Sequence, residues 1–162
     1  MSTIVIGLGN PVLTDDSVGM HAARAVSERL RGRPDVAVIE LCSGGLDLME
    51  AMVGFERAIV IDAALSGELE PGTVFSASTA DLCQSRNISS NHNGGIEVAL
   101  ELGKLAGLAL PRDIRFWAVE AADATTFSEN LTEPVQRALP ALIDSVLRDI
   151  EDDTTMLRER PL

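Results

Sequence analysis

Three acidic residues follow apolar segments of this sequence, and one of its two histidines lies in a polar segment. Asp15 and Asp16 come shortly after the apolar run that ends at Gly9, and Asp62 ends another apolar run. His92 lies in a long polar segment rather than on an apolar face. Two carboxylates and one imidazole, completed by water, suit a borderline divalent ion such as nickel, manganese, iron or zinc. Spacing alone does not choose among these metals.

Each of these residues also has a structural explanation. Asp15 and Asp16 precede a predicted helix, whose start their negative charges would favour. For Asp62 this kind of explanation is weaker, because an acid that ends a buried strand loses hydration unless it has a partner. His92 is alternatively a surface histidine. His21, inside the predicted first helix, is interpreted as a half-exposed structural residue.

Other catalytic and nucleotide-binding motifs are missing. The glycine-rich start Gly7–Pro11 has neither the third glycine of a dinucleotide fingerprint nor the Gly-Lys-Ser/Thr of a P-loop. Its glycines are therefore expected to allow a tight exit from the first strand and close backbone approach. No serine stands in a GxSxG elbow. Cys42 follows a strand and is interpreted as a small buried hydrophobe rather than a thiolate.

The elements that must position these residues alternate along the chain. Apolar β-branched runs predict strands, and helical spacing of apolar residues between them predicts crossover helices. Ser17 and Thr132 are candidate helix caps, and Pro140 is expected to kink the last helix. The predicted strands are Thr3–Gly9, Val36–Leu41, Ala58–Asp62, Thr73–Phe75 and Ile114–Val119, and the predicted helices are Val18–Leu30, Leu46–Val53, Ile96–Leu105 and a last one from Thr132 to about Ile150.

This alternation predicts a three-layer α/β/α fold around a five-stranded, mostly parallel sheet of order near 2-1-3-5-4. The short strand Thr73–Phe75 is expected to be an antiparallel edge strand. Between strands 1 and 3 the connections leave in opposite directions, which opens a crevice beyond the carboxyl ends of the strands. Asp16 and Asp62 are predicted to meet there.

Composition excludes several classes of protein. The 162 residues include 25 Asp and Glu against 13 Lys and Arg, a net charge of −12, which disfavours nucleic acid as a partner. The 46% hydrophobic content predicts one globular domain, residues 1–150, and a charged tail, residues 151–162. Two widely spaced cysteines support neither a disulfide scaffold nor a CxxC metal motif. With no signal peptide or bilayer-length apolar run, a cytoplasmic location is expected.

Taken together, the motifs resemble those of the endopeptidases that mature NiFe-hydrogenase large subunits. The matching segments keep their order and spacing from about position 3 to position 150. They are Gly7–Asn10, Asp15, Asp16, Gly19, Ile59–Ala63, Pro71–Thr73 and His92.

The resemblance implies an aspartic-type or metal-dependent endopeptidase that removes the C-terminal extension of a NiFe-hydrogenase large-subunit precursor. The metal-contacting positions of the family correspond to Asp16, Asp62 and His92, with Asp16 and Asp62 as catalytic candidates. Nickel belongs to the loaded precursor, so that only a filled subunit would be trimmed. The protease itself is expected to be a monomer.

Two alternatives accompany this interpretation. One is a non-cleaving checkpoint protein or chaperone, which would bind the nickel-loaded precursor through the same three residues. The other is a peptidyl-tRNA hydrolase, which the start Gly7–Pro11 also resembles. Residues Thr14–Ser17 lack the histidine motif of that enzyme class, and the charge of −12 disfavours tRNA.

Overall fold

The computed structural model describes residues 2–79 and 95–158, where strands and helices alternate as predicted. The strands are β1 (Thr3–Leu8), β2 (Val36–Leu41), β3 (Arg57–Ala64), β4 (Val74–Ser78) and β5 (Asp113–Glu120). The helices are α1 (Val18–Arg29), α2 (Gly45–Met52), α3 (Ile96–Leu105) and α4 (Glu133–Arg158), and a 3₁₀ turn, Thr14–Ser17, precedes α1.

The five strands form one sheet of order β2-β1-β3-β5-β4, which confirms the predicted order. The β1–β2, β1–β3 and β3–β5 pairs are parallel, whereas β4 runs antiparallel to β5. The prediction of an antiparallel edge strand is also confirmed. Its partner is β5, which lies far along the chain, rather than the preceding strand β3.

Helices cover both faces of the sheet. Alternate residues of the fully buried strand β3 face opposite sides, with Ile59 and Ile61 in one core and Ala58 and Val60 in the other. The first core is shared with α1 and α4, and the second with α2 and α3. The predicted three-layer architecture follows from this two-sided burial.

Glycines bring α1 unusually close to the strands beneath it. A Cβ at Gly7 would overlap the backbone of Gly19, and a Cβ at Gly19 would overlap the carbonyl oxygens of Leu8 and Ile61. Gly9 has a φ of 153°, and a Cβ there would overlap the carbonyl of Asp16. The predicted role of Gly7 and Gly9 in close backbone approach is confirmed, and Gly19 on α1 has the same role.

The candidate caps bond differently from the prediction. Ser17 lies at the start of α1, but its hydroxyl donates to the Thr14 carbonyl at 2.7 Å and not to the helix.

Helix α4 continues through Pro140 to Arg158, past the predicted end near Ile150. The boundary between domain and tail stays a prediction, and residues 159–162 lie outside the described residues.

None of the helices in residues 2–79 and 95–158 combines the length and the apolar character that a membrane crossing requires.

Candidate functional site

Asp16 and Asp62 lie at the same edge of the sheet, where β1 and β3 approach their carboxyl ends. Gly7 pairs with Ile61 across the parallel strands, so that Asp62 follows directly beside the end of β1. Asp16 lies in the 3₁₀ turn that leads from β1 into α1. Close approach of Gly19 to the Ile61 carbonyl fixes this turn and the start of α1 against β3. The sheet topology therefore brings Asp16 and Asp62 to the same edge of the sheet, and a shared site for their carboxylates stays a prediction.

Both side chains are buried although both are acidic. Asp16 is 3% exposed and Asp62 is 2% exposed. The Asn10 amide donates to Asp16 Oδ2 at 3.0 Å, and the Ala63 amide donates to Asp62 Oδ1 at 2.8 Å. These bonds hold each carboxylate to the backbone of its own segment.

His92 lies outside the described residues, in the segment that also contains Cys83. Within residues 2–79 and 95–158, no three His, Cys, Asp or Glu side chains are arranged to hold a metal ion. The predicted set combines Asp16, Asp62 and His92 and is therefore not tested by that observation. Its role as a set of metal-contacting residues stays a prediction.

Asp15 has a different role from Asp16, although the two are neighbours and both are buried. Its Oδ2 accepts hydrogen bonds from the amides of Ala122 and Asp123 at 2.9 and 3.0 Å. Thr132 adds its amide, 2.7 Å from Oδ1, and its hydroxyl, 2.8 Å from Oδ2. Asp15 thus ties the 3₁₀ turn to the loop between β5 and α4. The hydroxyl of Thr132, a candidate cap of the last helix, therefore donates to Asp15.

Glu120 is a further buried acid at this edge, and it was not among the residues predicted from the sequence. It is 2% exposed and ends β5. Its carboxylate accepts from the Ser66 hydroxyl at 2.9 Å and from the Gly67 amide at 2.8 Å, so it holds the β3–β4 connection. The available signal was its place directly after the apolar strand Ile114–Val119, the same signal that singled out Asp62.

His21 is half-buried on α1, as interpreted from the sequence. It lines a surface pocket of about 400 Å³ together with Pro11, Arg24, Glu129 and other residues of α1 and the two adjoining loops. Burial lowers the pKa of His21 from 6.5, and the nearby positive charge of Arg24 lowers this pKa further. A hydrogen bond to the Glu129 backbone acts in the opposite direction.

Cys42 is exposed, which contradicts its interpretation as a buried hydrophobe. It directly follows β2, an edge strand whose residues are mostly half-buried, so no second layer covers its end.

Comparison with known proteins identifies the family. The family model described as hydrogenase maturation protease (HycI) matches residues 20–149, most of the chain. The chain belongs to the hydrogenase maturation protease family. The predicted resemblance is therefore confirmed, and the chain is a hydrolase of the endopeptidase type.

Similar proteins of known sequence are consistent with this family. The hydrogenase expression/formation protein HupD of Rhizobium leguminosarum bv. viciae is 25% identical over 160 residues, 98% of this chain and 78% of its own length. HupM of Azotobacter chroococcum, also a hydrogenase expression/formation protein, is 28% identical over 86% of this chain and 67% of its own length.

Solved structures share the fold. The hydrogenase maturating endopeptidase HybD from E. coli has a TM-score of 0.82 at 23% identity, covering 94% of both chains. The [NiFe] hydrogenase maturation protease HybD from Thermococcus kodakarensis has a TM-score of 0.76 at 25% identity, covering 91% of this chain and 98% of its own.

Proposed function

We propose that this protease removes the C-terminal extension of a NiFe-hydrogenase large-subunit precursor after nickel has been inserted. Asp16, Asp62 and His92 contact the nickel that the precursor carries. The observation that supports this proposal most is the pair of buried carboxylates, Asp16 and Asp62, which separate strands bring to one edge of the sheet. Membership of the hydrogenase maturation protease family supports the class of substrate.

Nickel in this proposal is part of the substrate. A divalent ion beside the scissile bond polarises the peptide carbonyl and lowers the pKa of a bound water, so hydrolysis needs no serine or cysteine nucleophile. Asp16 and Asp62 then serve as ligands that hold the ion at the bond. Alternatively, one of the two carboxylates accepts the proton of the attacking water.

Recognition of nickel, which only the loaded precursor contains, makes cleavage depend on nickel insertion. A protease whose site is incomplete without the substrate's ion leaves nickel-free precursor intact. Specificity then depends on the ion and on docking of the folded partner, rather than on the sequence of the peptide alone.

The test compares nickel-loaded with nickel-free large-subunit precursor, each incubated with the purified protease. We expect release of a C-terminal peptide, detected by mass spectrometry, from the loaded form alone. The variants D16N and D62N should each lower the rate by about 100-fold or more, the usual contribution of a positioned acid or base. H92A should have a comparable effect.

Asp144→Asn is the matched control, because Asp144 is an exposed acid on α4 whose side chain is 56% accessible. It should process the precursor at the wild-type rate. Equal cleavage of both precursor forms would refute nickel recognition. Binding of the loaded precursor without cleavage would favour the checkpoint protein instead.

A further inference from the structure

Two large apolar side chains stand exposed on the loops beside Asp16. Phe127 is 82% exposed and Val12 is 45% exposed. Val12 lies in the connection from β1 to the 3₁₀ turn, and Phe127 lies in the β5–α4 loop. We call these two side chains the apolar rim.

Hydrogen bonds between the two loops hold the apolar rim in place. Leu13 and Phe127 form an isolated antiparallel bridge, and the Ser128 amide donates to the Val12 carbonyl at 3.0 Å. The Thr14 amide donates to the Thr126 carbonyl at 3.1 Å. The backbone carrying the rim is thus fixed before any partner arrives. Preorganised aromatic side chains of this kind are frequent anchors of protein interfaces.

The surroundings of the apolar rim are acidic. Among the described connections at this edge of the sheet, residues 9–17, 42–44, 65–73 and 121–132, none contains Lys or Arg. They contain three exposed acids, Glu68, Glu70 and Glu129. By contrast, the connections at the opposite edge, residues 30–35, 53–56 and 106–112, contain three arginines and two acids, Asp35 and Glu56. The rim therefore fits a partner surface that is apolar at its centre and basic around it.

We propose that the apolar rim is the docking surface for the folded large-subunit precursor, through an apolar patch of the precursor flanked by Lys or Arg. This inference rests on the proposed function, since a partner that delivers a peptide bond to Asp16 must approach the same edge. A second copy of this chain is a poorer fit, because it would bring two sets of acidic loops together.

The experiment measures kcat and KM for cleavage of nickel-loaded precursor by wild type, F127A and V12A. Truncating an aromatic anchor should raise KM by about tenfold or more and leave kcat within about twofold. V12A should raise KM by a smaller factor. Leu105→Ala is the matched control, because Leu105 is 84% exposed and ends α3 at the opposite edge. The KM of the L105A variant should equal that of the wild type.

Glu129→Gln tests the charge of the partner. The wild-type KM should rise with added salt, because screening weakens attraction between an acidic and a basic surface. The E129Q variant should show a weaker salt dependence. A wild-type KM that is independent of salt would contradict a basic partner surface.

An unchanged KM in F127A and V12A would overturn the docking surface, as would a fall in kcat at constant KM. Absence of cleavage by wild type would refute the proposed function alone, because binding of the nickel-loaded precursor can be measured separately by surface plasmon resonance. Weaker binding by F127A, but not by L105A, would then still support docking at the rim. A wild-type dimer that F127A dissociates would assign the rim to self-association and refute the proposal.

Discussion

Asp15 and Asp16 are identical neighbours in the chain, and their surroundings give them different tasks. Asp15 accepts four hydrogen bonds from the loop between β5 and α4. Asp16 accepts a bond from Asn10, in its own segment. A buried carboxylate with several donors is costly to alter, because each donor would lose a charged acceptor.

We therefore expect D15N to lower the free energy of unfolding by about 3 kcal/mol, since an amide cannot accept all four of these bonds. D16N should cost clearly less stability while lowering the cleavage rate by about 100-fold or more. Urea denaturation of both variants, with the precursor assay alongside, measures the contrast. Equal losses of stability in D15N and D16N would contradict the assignment of Asp15 as the loop anchor.

The sequence predicted the position of these acids better than their separate roles. The place of Asp16 and Asp62 after two apolar strands was enough to predict that they share an edge. The role of Asp15 was not predictable, because its donors lie 107 to 117 residues away. The prediction that Cys42 is buried was wrong for a related reason. A strand-like sequence pattern does not reveal whether a neighbouring element covers the end of the strand.

His21 gives a prediction about pH. Burial lowers its pKa in the folded protein below 6.5, so the unfolded chain binds a proton more readily. The folded state should lose stability as the pH falls below about 6.5, until the lower folded pKa is reached. Above that range the contribution of His21 is fully present.

The difference in free energy of unfolding between wild type and H21Q, measured from pH 7.5 to pH 5, isolates this contribution from other titrating groups. Wild type should lose more stability than H21Q across this interval. A constant difference would show that His21 has the same pKa in both states.

At the scale of elements, the contact between α1 and the strands depends on glycine. Gly19 lies against the carbonyl oxygens of Leu8 and Ile61, which are backbone atoms that cannot rotate away. These contacts hold the beginning of α1 next to the part of β3 that contains Asp62. They also hold Asp16, which lies in the turn just before α1. We therefore expect the distance between α1 and β3 to influence the positions of Asp16 and Asp62.

We expect G19A to lower the free energy of unfolding by about 3 kcal/mol through overpacking, and to reduce precursor cleavage in the fraction that folds. Gly32→Ala is the control, with a φ of 85° and no atom within 4 Å of the added Cβ. It should cost about 1 kcal/mol through backbone strain and retain wild-type kcat. Similar kcat values for the two variants would refute the positioning role of Gly19.

Most element bounds followed from the apolar pattern, and β2 and α3 agree with the prediction at both ends. Strand β3 extends beyond its predicted bounds, because Arg57 and Ala63–Ala64 are also buried and paired. The predicted order also placed the fourth strand beside the fifth, and the structure confirms this pairing. The bounds of β4 were predicted less well, since the strand runs from Val74 to Ser78 instead of Thr73–Phe75.

At the scale of the whole molecule, the two edges of the sheet are built differently. Opposite the site, Arg57 is 3% exposed and donates to Asp113 at 2.8 Å and to Asp149 at 2.6 Å. Trp117 donates its indole N–H to the same Asp149 at 2.8 Å. This network attaches α4 to β3 and β5 at a distance from the candidate site.

Arg57→Met should therefore lower the free energy of unfolding by about 3 kcal/mol, because it leaves Asp149 without its buried cation. The kcat for precursor cleavage should stay unchanged below the melting temperature. Arg29→Met is the control, since the Arg29–Asp144 pair is 56% exposed on both sides and should contribute less than about 1 kcal/mol. A lower kcat in R57M would show that the two edges are coupled.

The bonds that Asp15 receives from residues 122, 123 and 132 also set an order of events during synthesis. A chain still emerging from the ribosome contains both Asp16 and Asp62 long before the loop that Asp15 anchors has been translated. The hydrogen bonds that hold the candidate site together can form only when nearly the whole polypeptide has been synthesised. We therefore expect a nascent or C-terminally truncated chain to be inactive, because the candidate site is completed among the last steps of folding.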